Sequence, residues 1–259
     1  MIGVCICGAR GRMGRMLTEL IIEADDLVLS SALEKSGHAD LGLELGPDKV
    51  KLTDDAQAAL RAAEVVLDFS LPQAVCQHLQ LASSKKKPLI TGTTGFSAEQ
   101  IKQIEQAAKD IPIVLSANMS RGVFVLNRLA QQAARALVEY DAEIFEIHHK
   151  DKVDSPSGTA KQLSQAIEAA RGGPGQEIYG RLGLRQTTEI GLCSARGGDV
   201  VGEHQVMFLG AGEQIILTHR ASSRKHFCLG ALAAVRFIGV TKPGRSAGLY
   251  SMADVFEEC

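Results

Sequence analysis

Positions 148 to 160 read His148-His149-Lys150-Asp151-Lys152-Val153-Asp154-Ser155-Pro156-Ser157-Gly158-Thr159-Ala160. Two imidazoles and two ammonium groups fall within five residues, and these groups exchange protons or donate hydrogen bonds to anions. A proline turn then leads to Ser157, a residue type that caps helices, and Gly158 lets a ligand approach the backbone closely. The first-turn N–H groups of a helix, with the positive end of its dipole, favour an anion. Together they describe a site for a small acid that also needs protons moved. The same charge run could be a solvated basic loop before an ordinary capped helix, so the rest of the chain has to decide. Zinc suits His148 and His149 poorly, because neighbours on a strand point to opposite faces and no further ligands cluster in sequence. No metal site is expected.

A second group of residues suits a nucleotide. Ile2 to Cys7 is a short apolar run that reads as a buried parallel strand. Met13, Met16, Leu17, Leu20 and Ile21 then recur at the spacing of one helical stripe. Between them lies Gly8-Ala9-Arg10-Gly11-Arg12-Met13-Gly14, whose glycines permit a tight turn and let a pyrophosphate reach the helix start. The first two glycines are three apart where GxGxxG has two, so the fingerprint carries one departure. A second strand, Leu27 to Leu33, ends at Glu34 and Lys35, and Glu34 lies twenty positions after Gly14. An acid there suits the ribose hydroxyls of NAD, while an adjacent cation suits the extra phosphate of NADP. Both groups are present, which leaves NADH and NADPH open.

The elements that position these residues alternate through the first half. Helical patterns at Asp54 to Ala63, Leu71 to Lys85 and Ser97 to Lys109 separate strand patterns at Val65 to Phe69, Leu89 to Thr91 and Ile111 to Leu115. Pro72 suits a first helical turn and Ser97-Ala98-Glu99-Gln100 has the form of a capping box. This is a doubly wound α/β sheet, whose ligands bind beyond the carboxyl ends of the strands. Asp68-Phe69-Ser70 and Gly92-Thr93-Thr94-Gly95 fall there and are candidates for the nicotinamide half. After Asn118 come a long helix from Ser120 to Glu139, a strand from Asp141 to Ile147, and a helix from Ser157 to Ala170. The stretch Arg171 to Gly175 reads as a mobile connector. Strands at Glu189 to Ala195, Glu203 to Leu209 and Glu213 to His219 complete a mixed α+β domain. A last helix, Ser222 to Phe237, and a short tail are placed to return to the first sheet.

Composition narrows the classes. The 259 residues, 45% hydrophobic and 22% charged, suffice for two well-buried domains. A net charge of -2 gives no bulk electrostatic reason to expect nucleic acid or a membrane surface. No apolar run approaches a membrane span, and the amino terminus lacks the apolar stretch of a signal peptide. The six cysteines are scattered without a C-x-x-C pair, which fits reduced thiols in a cytoplasm.

Together these motifs resemble the dihydrodipicolinate (4-hydroxy-tetrahydrodipicolinate) reductases of diaminopimelate and lysine biosynthesis, along nearly the whole chain. The most specific parts are His148-His149 through Lys152 to Ser157-Gly158-Thr159-Ala160, Gly11-Arg12-Met13-Gly14 and Gly92-Thr93-Thr94-Gly95. Arg196-Gly197-Gly198-Asp199-Val200-Val201-Gly202-Glu203-His204 and Thr218-His219-Arg220-Ala221-Ser222-Ser223-Arg224 add to them. The resemblance implies a Rossmann-like dinucleotide domain at 1–119 and 230–259, and a substrate-binding domain at 120–229 that also builds a homotetramer. It implies cofactor contacts at Gly8, Ala9, Arg10, Gly11, Arg12, Met13, Glu34, Lys35, Gly92, Thr93, Thr94, Ser116, Ala117, Asn118 and Met119. His148 and Lys152 match the family's proton-handling pair, and His149, Gly158 and Thr159 its substrate-binding positions. The implied substrate is a cyclic dicarboxylate reduced by NADH or NADPH, with hinge closure over it. Three positions depart from the family's pattern: Arg10 replaces a small residue in the glycine turn, Ser155 an alanine and Arg121 an apolar residue. Two other classes stay in view. Another imine or amino-acid reductase would share the first domain without needing the sequence from His148 to Ala160, and a non-catalytic NAD(P) sensor would have no use for an acid at Lys152.

Overall fold

The apolar run Ile2–Cys7 forms β1, buried from Gly3 onward, because a parallel strand inside a sheet has both faces covered. The computed structural model describes residues 1–173, 175–239 and 245–257. The chain divides into two units, Met1–Met119 with Phe227–Cys259, and Ser120–His226. After β1 the first unit continues through α1 (Arg12–Ile22), β2 (Leu27–Leu33), β3 (Glu44–Leu45), β4 (Val50–Thr53), α2 (Ala56–Ala62) and β5 (Val65–Asp68). It goes on through α3 (Pro72–Ser84), β6 (Leu89–Thr91), α4 (Ala98–Ala107) and β7 (Pro112–Leu115). The second unit holds α5 (Arg121–Ala136), β8 (Asp141–His148), α6 (Gly158–Arg171), β9 (Gln176–Tyr179), β10 (Glu189–Arg196), β11 (Gly202–Leu209) and β12 (Gln214–Ala221). Then come α7 (Lys225–Gly239), β13 (Gly248–Tyr250) and α8 (Met252–Glu257).

Among the described residues the first unit's sheet runs β13-β7-β6-β5-β1-β2-β4-β3. Every pairing is parallel except β3 with β4. Strand order reverses between β1 and β5, which opens a crevice at their carboxyl ends. Gly8 has φ +75°, and a Cβ on Gly14 would lie 2.1 Å from the Gly8 carbonyl oxygen. Helix α1 can therefore begin this close to the turn only with glycine at both places. Its buried stripe is Leu17, Leu20 and Ile21, whereas Met13 and Met16 are half-buried. Leu60 of α2, Leu79 of α3 and Ile104 of α4 meet Cys5, Val66 and Leu89 in one buried cluster. The expected capping box at Ser97 and Gln100 closes both of its hydrogen bonds. No helix among the described residues is long and apolar enough to cross a membrane.

The second unit is built on a mixed sheet ordered β12-β11-β8-β10-β9. Strand β8 alternates half-buried and buried residues. Its Ala142 and Ile144 meet Leu126 of α5 and Leu163 and Ile167 of α6 in a second cluster with Val206 and Phe208. Helix α5 stops at Ala136, three residues short of the expected Glu139, with its C-cap Leu137 already outside helical dihedrals. Helix α7 starts at Lys225 where Ser222 was expected, because β12 continues to Ala221. Five short elements fell outside the expected pattern: β3, β4, β9, β13 and α8. Strand β13 pairs with β7, so the tail does rejoin the first sheet. Of the expected connector from Arg171 to Gly175, Arg171 closes α6 and Gly172 caps it with a left-handed φ of 77°; Pro174 lies outside the described residues.

Candidate active site

Strand β8 delivers the first acid/base candidate. Its period of two puts Glu146 and His148 on the same face as Ala142 and Ile144, and the neighbouring strands hold Arg196 opposite His148 and His204 opposite Glu146. Glu146 is 1% exposed and joins three elements, β8, β10 and the start of α6. One carboxylate oxygen lies 2.5 Å from His148 Nδ1, and the other accepts the Ser157 N–H at 3.1 Å. Arg196 donates to both oxygens at 2.9 Å, a bidentate pair. Burial pushes the Glu146 carboxyl up, but hydrogen bonds from His148, Arg196, Ser194 and the Ser157 backbone outweigh it and hold the carboxyl far below its ordinary range. Glu146 is thus ionised, so His148 Nδ1 carries the proton between them and Nε2 is the nitrogen left to react. Gly202 borders it: a Cβ there would lie 3.0 Å from Nε2.

Ser157 caps α6 through Oγ, which accepts the Ala160 N–H at 3.2 Å, as its residue type predicts. The same Oγ sits 3.2 Å from His204 Nε2. Burial, reinforced by the neighbouring His148, pushes His204 down to about 3, so it is neutral at physiological pH. Its ring stands edge-on to His148 with centroids 5.1 Å apart. Lys152 is drawn in from solvent, and its Nζ meets the Asp154 carboxylate at 2.7 Å. Arg196 also donates to the Asp154 carbonyl at 2.6 Å. His149 and Thr159 are half-exposed and Gly158 is exposed at the start of α6. From the stretch His148 to Thr159, His148 and the Ser157 N–H therefore meet on one carboxylate, Glu146, that was not among the expected residues. Glu146 carried a usable signal all the same: an acid on the buried parity of an alternating strand, two residues before a histidine.

In the first unit, Gly8, Gly11, Glu34, Lys35, Phe69 and Ser70 line a groove of about 530 Å³ at the carboxyl ends of β1, β2 and β5. The larger hollow, about 830 Å³, lies between α3 and α4 and holds none of these loops. Helix α1 starts at Gly11 without a side-chain cap and without an acid in its first turn, so its dipole is left for an external anion. Both oxygens of Glu34 accept backbone N–H groups, from Arg10 and Lys35, each at 3.0 Å. Asp68 is fully buried and accepts from the Ser70 N–H at 2.9 Å and pairs with His78 at 2.7 Å, which fixes the loop after β5. Thr93 Oγ1 donates to the Ser70 carbonyl at 2.9 Å, tying the loop after β6 to it. An uncapped helix start, a groove and an acid at the end of β2 fit a dinucleotide. Ala9 is buried, Met13 half-buried, and Arg12 and Thr94 exposed. Ser116 to Met119 follow β7 and lie outside the groove; Ser116 Oγ donates to the Asn118 carbonyl at 2.7 Å, Ala117 is exposed, and Met119 is 2% exposed.

Comparison with known proteins is consistent over the whole chain. Residues 2–119 match the family described as dihydrodipicolinate reductase, N-terminus, and residues 122–256 match dihydrodipicolinate reductase, C-terminus. A protein of Nitrosomonas europaea named 4-hydroxy-tetrahydrodipicolinate reductase is 43% identical, covering 98% of this chain and 97% of its own. One of the same name from an Anaeromyxobacter species is 45% identical with the same coverage. A solved dipicolinate-bound dihydrodipicolinate reductase from a Paenisporosarcina species superposes with a TM-score of 0.79 at 25% identity, covering 99% of both chains. With both halves matched and relatives this similar end to end, the chain belongs to the dihydrodipicolinate reductase family.

Proposed function

We propose that the protein reduces 4-hydroxy-tetrahydrodipicolinate to tetrahydrodipicolinate with NADH or NADPH, in the diaminopimelate route to lysine. The observation that carries this is the Glu146 carboxylate, which hydrogen-bonds both His148 and the Ser157 N–H at the start of α6. One buried group thereby holds a proton-exchanging ring and an anion-favouring helix start in fixed relation. A sensor would not need that relation, and a reductase of a neutral imine would not need the anion site.

The reaction removes the ring hydroxyl with a neighbouring ring hydrogen as water, adds hydride to the ring carbon and protonates the ring nitrogen. Gly8 to Met13, Glu34, Lys35, Gly92 to Thr94 and Ser116 to Met119 would hold the reduced nucleotide, which would supply the hydride. Lys152, whose Nζ lies 2.7 Å from the Asp154 carboxylate, donates a proton to the ring nitrogen. His148 exchanges the other proton through Nε2, with Glu146 stabilising the ring when it is cationic. The backbone at Gly158 and Thr159 and the side chain of His149 hold a substrate carboxylate, where the α6 dipole adds to their attraction. Following NADH and NADPH absorbance with freshly made product of the preceding synthase tests the proposal. Substrate-dependent oxidation supports it; binding of nucleotide without oxidation would favour a sensor.

Gly158 gives a direct check on the carboxylate. A Cβ there would meet nothing within 4 Å, so the fold itself does not require glycine. Gly158→Ala should leave the melting temperature near that of the wild type while raising KM, and weakening a pyridine dicarboxylate inhibitor, by roughly tenfold, about 1.4 kcal/mol. Unchanged inhibitor titrations would put the carboxylate elsewhere.

We also assign the protein to the cytoplasm as a homotetramer. Cys5, Cys7, Cys76, Cys193 and Cys228 are all free thiols, which supports a reducing compartment. Strand β12 lies at a sheet edge with Ile215 and Ile216 45% and 47% exposed, an apolar edge of the kind that assembly covers. Light scattering should return four times the chain's mass; a monomer would remove the assignment.

A further inference from the structure

Arg10 stands inside the glycine turn, and its two ends make different contacts. Its N–H donates to Glu34, while its guanidinium crosses to the loop after β2 and donates from Nε to Asp40 at 2.6 Å. The acid that ends the second strand of a dinucleotide fold faces the adenosine 2′-hydroxyl. A phosphate on that oxygen would therefore lie beside Glu34, Lys35 and the turn from which Arg10 projects. Glu34 repels such a phosphate, and Lys35 offers only one exposed cation. Asp40 is the anion that the guanidinium holds. The Arg10 hydrogen bond, helped by the charges of Arg10, His38 and Arg15, keeps its carboxyl below its ordinary value. The pair is partly solvent-exposed, with side-chain exposures of 22% and 34%, and pairs of this kind exchange partners at little cost. A phosphate carries nearly two charges and three acceptor oxygens, against one charge on Asp40.

Resting on the reductase reading above, we propose that Arg10 sets cofactor choice: its guanidinium leaves Asp40 for the 2′-phosphate of NADPH, and Asp40 is the internal competitor that limits NADPH affinity. Glu34 serves the ribose diol of NADH, so the two nucleotides are recognised by opposite ends of the same contact network. Arg10 and Lys35 act together on the phosphate, whereas Asp40 acts against it.

Calorimetric titration of the whole chain with NADPH, NADH, adenosine 2′,5′-bisphosphate and AMP tests this without turnover. Arg10→Ala should weaken NADPH and the bisphosphate by roughly 10- to 100-fold, the range for a lost charged hydrogen bond, and leave NADH and AMP within about threefold. Lys35→Ala should have the same sign on the phosphate-bearing pair. Asp40→Asn should tighten NADPH and the bisphosphate several-fold, and in the Arg10→Ala background it should do nothing. NADH affinity serves in every variant as the check that the groove is intact. Equal losses of NADPH and NADH in Arg10→Ala, or a loss of NADPH in Asp40→Asn, would overturn the role given to Arg10 and Asp40 and leave the reductase reading standing. A wild type that binds neither nucleotide would overturn the reductase reading and this inference together.

Discussion

Lys152→Ala lowers kcat by roughly 10²- to 10⁴-fold and leaves the affinity for NADH and NADPH nearly unchanged, the expected signature of a lost proton donor. Lys152 belongs to the unit Ser120–His226, whereas the groove with Gly8, Glu34 and Lys35 is lined by residues of the other unit. The protein tolerates the change structurally. Lys152 pairs with Asp154, whose side chain is 60% exposed, and an exposed carboxylate that loses its partner is simply hydrated. Asp154 also reports the loss. Burial pushes its carboxyl up, but the Lys152 hydrogen bond and charge outweigh that and hold it below its ordinary value, so in Lys152→Ala it should titrate at higher pH. Steady-state kinetics beside nucleotide titrations decide the matter: a wild-type kcat would take Lys152 out of the mechanism, and matched losses of turnover and nucleotide affinity would point to a displaced fold.

What could be read without coordinates had a local cause. The turn from Gly8 to Gly14 is legible because a positive φ and a 2.1 Å approach admit nothing larger. The Ser157 cap and the Ser97 box are legible because they join residues only three apart. Strands β3, β4, β9 and β13 were missed because two to four residues are too few to establish a period; β3 and β4 also mix charged with apolar residues. The Glu146 cluster was missed for another reason. Its partners lie 2, 11 and 50 residues away, and only the register of β8 with β10 brings Arg196 to it. Arg196 appeared in the sequence as part of a motif, without the carboxylate that explains it. The Arg10 contact with Asp40 spans 30 residues through a loop with no regular pattern and was equally invisible.

Glu146→Gln should damage stability and turnover at once, and the two effects separate by pH and by assay. Glutamine fills the same volume but leaves the Arg196 guanidinium, 19% exposed, without its charge partner, and breaking a buried pair from one side costs about 3 to 5 kcal/mol. Because the folded carboxyl is depressed, its contribution is fully present above the unfolded value near 4 and is lost as pH falls from there toward the lower folded value. The stability gap between wild type and variant, measured by urea unfolding, should therefore be constant from about pH 5 to 8 and narrow below about pH 4. Turnover falls for a different reason. A neutral amide can donate as well as accept, so the carboxylate that fixed the proton on His148 Nδ1 is gone and the tautomer that leaves Nε2 free for exchange is no longer enforced. The loss of kcat should reach roughly 10²- to 10⁴-fold, as when the orienting acid of a catalytic histidine is neutralised. Nucleotide affinity should hold, since Glu146 lies outside the groove. Kinetics are read at a temperature where circular dichroism shows the variant fully folded, which isolates positioning from unfolding. A folded variant with wild-type kcat would reduce Glu146 to a structural ion pair, and a stability gap that widened toward acid would mean that the carboxylate is not the charged partner described here.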